Sequence, residues 1–259
     1  ALNPFGFAWS RRVNEDNIDL NRNFLLSRDQ FAGSPDGYAR LDSLLNPPTP
    51  PRWQDTIALL PVIVREGMPA LKQAVAGGQY DFPKGLFFGG HAPSQTVCIL
   101  SDHLSQWIGA CNRVLHLDLH TGLGRWARYQ LIADSLVASD WWADVHPTLS
   151  GHRIVLPDSS DSAYRIRGGF GQWMAEHFDD REYQLLYAEF GTYHAIRVLL
   201  GLRAENRAHH WSVADHPATT KAKRRLRELF CPSAPSWRKQ SLSQALALLH
   251  ASHRKLRSD

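Results

Sequence analysis

An α/β fold, a sheet flanked by helices within one domain over residues 1–259, is what the sequence predicts. Three observations predict it. Residues 114–120 alternate polar and apolar side chains, the period of a strand, and run into a Thr-Gly-Leu-Gly turn at 121–124. Residues 183–190 form a second strand-like run, followed by a helical pattern over 193–204, so that strand, turn and helix recur in order. No internal repeat, low-complexity tract or domain-length linker interrupts the chain.

From the N-terminus, Asn3-Pro4-Phe5-Gly6 predicts a turn, and the polar stretch 10–23, dense in charge and amides, predicts a loop or the rim of a site. Apolar residues at Tyr38, Leu41, Leu44 and Leu45 give a short helix that Asn46-Pro47-Pro48 stops. The pattern over 57–76 is helical, split by Pro61, Gly67 and Pro69, and Gly77-Gly78 ends it. Val97, Leu100, Leu104, Trp107, Ile108 and Cys111 fall at helical spacing, one apolar stripe against a polar face. In the strand that follows, His116, Asp118 and His120 share one face and Leu115, Leu117 and Leu119 the other. That strand is expected to end at His120, in the position where open α/β sheets gather their ligand sites. Ile196, Leu199, Leu200 and Arg203 mark the helix after the second strand, and Leu242, Ala245, Leu246 and Leu249 a last amphipathic helix.

Composition narrows the function classes. With 43% hydrophobic and 21% charged residues the chain is globular, not disordered or fibrous. The longest near-apolar run, 57–64, is broken by Pro61 and falls far short of the roughly 20 residues a bilayer span needs, so no membrane partner is expected. Twenty-nine basic against 25 acidic residues leave an excess of four, much of it in 221–227 and 254–257, too local for a nucleic-acid footprint and read as a solvated helix face. Three cysteines, Cys98, Cys111 and Cys231, make no disulfide framework and have no metal-type spacing. No signal-peptide pattern opens the chain, and with the cysteine usage this gives a cytoplasmic expectation.

Four places carry residue types suited to chemistry. His120, at a strand end beside a turn, is either a packed imidazole or a metal ligand; Asp118, two residues back on the same face, is placed to orient its ring. Glu189 puts a carboxylate among Tyr187, Ala188 and Phe190, which makes it either an edge residue facing water or a general base whose pKa burial raises. The string Asp19-Leu20-Asn21-Arg22-Asn23-Phe24 is either a turn capped by its asparagines or an amide and guanidinium presented to one carboxylate. Tyr164, followed by Arg165-Ile166-Arg167-Gly168-Gly169, reads as a loop tyrosine running into a helix, or as a buried aromatic before a glycine turn.

Taken together, these strings resemble the zinc carboxypeptidase superfamily of carboxypeptidase A-like enzymes. The resemblance rests on the Asn3-Pro4-x-Gly6 turn, Arg11-Arg12, the Asp19 to Phe24 string, Asp118-Leu119-His120-Thr121, the Tyr164-x-x-x-Gly168-Gly169-x-x-x-Trp173 block and Glu189, in that order. Longer phrases, among them Tyr80-Asp81-Phe82-Pro83-Lys84-Gly85-Leu86-Phe87-Phe88-Gly89-Gly90 and Glu189-Phe190-Gly191-Thr192, are similar to a bacterial branch catalogued as domain of unknown function 2817. The resemblance implies a mixed, mostly parallel open sheet flanked by helices and lacking its first strands, and a hydrolase with one Zn2+. It implies His120 as a metal ligand supported by Asp118, Glu189 as the base that activates water, and Arg12, with Arg11 as the alternative, as the cation holding the oxyanion. Asn21 and Arg22 would then grip a substrate carboxylate, and Tyr164 would close over it. The superfamily's first two zinc ligands come from a His-x-x-Glu motif before the Asn-Pro turn, and no such motif precedes Asn3 here. The expectation is therefore an N-terminally truncated chain, inactive alone, whose other two ligands lie upstream of Ala1. The substrate class implied is a small peptide. An N-acyl amino acid cleaved by an aspartoacylase-like deacylase is the alternative, and a non-catalytic binding protein is the rival if those ligands are truly missing.

Overall fold

A computed structural model describes residues 2–56, 61, 67–133, 140–143, 154–155 and 166–256. The helices among them are α1 (Pro4–Trp9), α2 (Tyr38–Leu45), α3 (Met68–Ala76), α4 (Gln95–Ile108), α5 (Phe170–His177), α6 (Ala195–Trp211), α7 (Pro217–Phe230) and α8 (Pro235–Leu256). The strands are β1 (Arg113–Gly122), β2 (Tyr129–Ile132), β3 (Ile154–Val155) and β4 (Glu182–Gly191). They form one open sheet in the order β1-β4-β2-β3, with β1 parallel to β4, β2 parallel to β3, and β2 antiparallel to β4. The fold is thus α/β with a mixed, mostly parallel sheet. The chain divides into two compact units, one of residues 1–109, 164–173 and 199–227, the other of 110–163, 174–198 and 228–259.

The sheet belongs to the second unit. Its apolar face is made by Leu186, Ala188 and Phe190 of β4 and Leu131 of β2, with Leu115 and Leu117 of β1 packed beside them. Trp237 and Leu248 of α8 cover this face. The Trp237 indole N–H donates to the Gly191 carbonyl (2.9 Å) and the Gln244 amide to the Ala127 carbonyl (2.7 Å), and these two bonds set the rotation of α8. As a result most of the expected apolar stripe of that helix turns outward: Leu242, Leu246 and Leu249 are exposed, while Ala245 packs against the core and Trp237, Leu248 and Ser252 are buried.

In the first unit, buried arginines of α6 hold the proline-rich connector. The Arg207 guanidinium donates to the Thr49 and Pro50 carbonyls and to Asp55, and Arg203 donates to the Leu44 and Asp55 carbonyls. Without these donors the Leu44, Thr49, Pro50 and Asp55 carbonyls would be left to water. Arg11 anchors the preceding loop to the same helix: its Nε lies 3.0 Å from Glu205, which also takes Lys223 Nζ at 2.9 Å, and its Nη2 donates to Asn17 and Asn206.

Several boundaries differ from the sequence expectation. Asn3 begins a helix, because its side chain accepts from Gly6 N (2.8 Å) and Pro4 needs no N–H donor in the first turn. β1 continues two residues past His120, since Thr121 and Gly122 still pair with Phe190 and Gly191. α4 stops at Ile108, ahead of Cys111, where Gly109 takes a positive φ; Trp107 is exposed, and the inner stripe is Val97, Leu100, Leu104 and Ile108. Most of the helical expectation over 57–66 lies outside the described residues.

His209 and His210 give this unit a pH dependence. Burial first, and the Arg11 guanidinium second, push both imidazoles down to about 4 from an ordinary 6.5. Between those values the unfolded chain binds more protons than the folded one, so stability falls as pH drops from 6.5 toward 4 and levels off below. Thermal melts across that window are expected to show the loss, and a His209→Gln, His210→Gln double variant to show a markedly flatter profile; parallel wild-type and variant curves would reject the assignment.

Candidate active site

The ladder between β1 and β4 sets His120 opposite Glu189. Partners in a parallel pair point to the same face, so His116, Asp118 and His120 share the polar face with Tyr183, Leu185, Tyr187 and Glu189. The apolar face is turned toward α8.

His120 Nε2 lies 2.7 Å from Asp118 Oδ2, both side chains about one-third exposed. A carboxylate accepting Nε2–H selects the tautomer in which Nδ1 carries the lone pair. The Tyr187 ring meets the imidazole edge-on at 5.4 Å and limits its swing. His116 is engaged elsewhere, its Nδ1 2.6 Å from the Tyr183 hydroxyl; burial lowers its pKa, with Asp118 acting in the opposite sense.

Glu189 is held through the loop after β1. Leu123 N–H donates to its Oε1 (2.9 Å). The loop is itself stapled to the end of β4, with Ala127 N donating to the Gly191 carbonyl (3.0 Å), Gly191 N to the Arg128 carbonyl (2.9 Å) and the Thr192 hydroxyl to the Gly122 carbonyl (2.9 Å). Position 191 must be glycine for this, because a Cβ would run into the Arg125 carbonyl oxygen.

Arg12, Asn21 and Arg22 belong to the first unit. Arg12 Nε pairs with Asp19 Oδ2 at 2.8 Å, its guanidinium 5.2 Å from the centre of the Phe87 ring, and 30% of its side chain is exposed. Burial works to raise the Asp19 pKa, yet the Arg12 and Arg22 charges outweigh it and hold the carboxyl below the usual range. Arg11 has no exposed side-chain surface, and this separates the two neighbours: Arg11 is a strut, Arg12 the guanidinium that reaches solvent. Arg22 is fully buried, with Nε and Nη2 donating to the Ala76 carbonyl (2.9 and 2.6 Å) and Nη1 to the Asn21 carbonyl (2.6 Å). Asn21 Oδ1 accepts from Phe170 N (2.9 Å), tying the 19–24 string to the start of α5. Gly168, at φ +68°, packs so closely on the Arg22 carbonyl that no side chain fits. A cavity of about 410 Å³ opens beside this turn, lined by Phe24, Leu26, Gln73, Ile166, Arg167 and Gln172 among others. Tyr164 lies outside the described residues.

Among the described residues no three His, Cys, Asp or Glu side chains gather as a ligand set. The donors suited to a metal are His120, oriented by Asp118, with the Glu189 carboxylate as its strand neighbour. A family model described as Protein of unknown function (DUF2817) matches residues 1–244. The chain belongs to this family. No curated protein and no solved structure matches it.

The match to DUF2817 spans both groups of residues. Sequence reasoning on this DUF2817 chain overlooked β2, whose Gln130 is the other register neighbour of Glu189. The only local signal was the short run Tyr129-Gln130-Leu131-Ile132, too brief for a period to show. Arg22 offers the sharpest check on the local structure: Arg22→Met leaves the Ala76 and Asn21 carbonyls without their donor and is expected to cost about 2–4 kcal/mol in urea unfolding. A change below about 0.5 kcal/mol, the range of ordinary surface substitutions, would contradict it.

Proposed function

We propose that this chain forms part of a zinc-dependent hydrolase of the carboxypeptidase A-like type, cleaving an amide or peptide bond next to a carboxylate. One observation carries the reading: His120 and Glu189 are register partners on the polar face, near the C-terminal ends of two parallel strands, with His120 fixed by Asp118 and Glu189 by Leu123 N–H. Ligand sites in open α/β sheets gather at such strand ends. The donor set fits zinc in part, with the His120 imidazole oriented by the Asp118 carboxylate, and the remaining two ligands are proposed to come from a His-x-x-Glu segment outside residues 1–259. Bound there, zinc would lower the pKa of a water to about 7 and polarise the scissile carbonyl.

The chain's own residues do the rest. Glu189, anchored by Leu123 N–H, takes one proton from the attacking water and delivers it to the departing nitrogen as the C–O bond forms and the C–N bond breaks. Of the two neighbouring arginines in the first unit, the resemblance assigns the oxyanion to Arg12, a role that its exposure permits and Arg11's burial does not. The resemblance assigns the substrate carboxylate to Asn21 and Arg22, with Tyr164 beside them; within the first unit the Arg22 donors are held by the Ala76 and Asn21 carbonyls.

In the full-length protein, His120→Ala is expected to abolish stoichiometric zinc by metal analysis, and Asp118→Asn to weaken zinc binding about 10–100-fold. Glu189→Gln should keep the zinc and lose roughly a hundredfold or more in turnover, measured on the same sample. Full zinc content in the His120 variant, or more than about a tenth of the activity in the Glu189 variant, would overturn the reading.

A further inference from the structure

We infer that Gln130 selects the amine released by the reaction, favouring a hydrogen-bonding side chain over an apolar one of equal length. This rests on the hydrolase reading of His120 and Glu189. In the sheet, β4 lies between β1 and β2, and one row of the ladder runs His120, Glu189, Gln130 across the three strands. Register partners put their side chains on one face with Cβ atoms about 5 Å apart, so the imidazole, the carboxylate and the amide stand in line.

That order has a chemical consequence. Glu189 must reach both the attacking water and the nitrogen that leaves, because the same proton passes between them. On one side of the carboxylate stands His120, which in the hydrolase reading would hold the zinc. The departing amine and whatever it carries therefore extend over the other side, where β2 presents Gln130. Its neighbours Tyr129, Leu131 and Ile132 are partly or fully buried, whereas Gln130 is exposed and makes no side-chain hydrogen bond among the described residues. A carboxamide both donates and accepts, so it suits an amide or hydroxyl on the released amino acid and offers an apolar chain nothing in return for its own desolvation.

The test uses the zinc-loaded full-length protein, two products of nearly equal length, L-glutamine and L-methionine, bound in a calorimeter, and the benzoylglycyl dipeptides that would release them. Wild type is expected to prefer glutamine over methionine about tenfold in both measurements. Gln130→Leu should erase that preference while methionine binding stays within about twofold. Gln130→Glu, which keeps the size, should shift the preference from glutamine to lysine. A wild type that turns over both dipeptides without discrimination, or a preference that survives in Gln130→Leu and is not redirected in Gln130→Glu, overturns the role of Gln130 alone. Turnover persisting in Glu189→Gln overturns the hydrolase reading while leaving the binding preference to be read by calorimetry. No binding and no turnover of either probe by wild type overturns both.

Discussion

The parallel pairing of β1 with β4 is the constraint on which the other arrangements depend. Shifting it by one residue would send His116, Asp118 and His120 to the opposite side from Glu189 and present Leu115 and Leu117 where the polar face should be. Two features hold the register. On one face, Leu186, Ala188 and Phe190 are buried against α8, so a slip would bury Tyr187 and Glu189 there instead. At the strand ends, the loop 123–128 is bonded to Gly191 from both directions, and only the observed register brings Leu123 N–H to the Glu189 carboxylate. Hydrophobic burial on one face thereby fixes polar geometry on the other.

The two arginines at 11 and 12 show how burial assigns roles that residue type leaves open. Both are guanidinia in a polar loop, both within reach of a carboxylate. Arg11 is enclosed by Glu205, which neutralises it, and by Asn17 and Asn206, which accept from Nη2, while its Nη1 has no hydrogen-bond partner among the described residues. Arg12 is paired with Asp19 yet keeps solvent-facing surface. The Asp19 carboxyl is held below its usual range by the Arg12 and Arg22 charges against the effect of burial, which couples the two arginines through one side chain.

Much of the architecture was legible because period is a local property. The alternation over 114–120 gave the strand and both its faces, and the spacing of Val97, Leu100 and Leu104 gave α4. What escaped depends on partners far along the chain. Gln130 acquires meaning only opposite Glu189, and Arg11 only against Glu205, 194 residues on. The rotation of α8 escaped for the same reason: Leu242, Leu246 and Leu249 satisfy a helical stripe, but Trp237 and Gln244 decide which side faces the sheet. Strand ends were misjudged where backbone pairing outlasts side-chain alternation, as at Thr121 and Gly122. For the candidate site, residue types suggested each role, while the distinction between Arg11 and Arg12 needed three dimensions.

The same ladder also governs how the chain is made. Arg113 pairs with Glu182, 69 positions later, so β1 leaves the ribosome well before its partner exists. At about 5–20 residues per second that interval is roughly 3 to 14 s. Throughout it, an apolar-alternating segment is available to other nascent chains. Between Arg113 and Gly122 the sequence carries one fixed charge, Asp118. A lone carboxylate inside such a strand acts as a gatekeeper against self-association, so the side chain that orients His120 in the folded protein also protects the strand during synthesis.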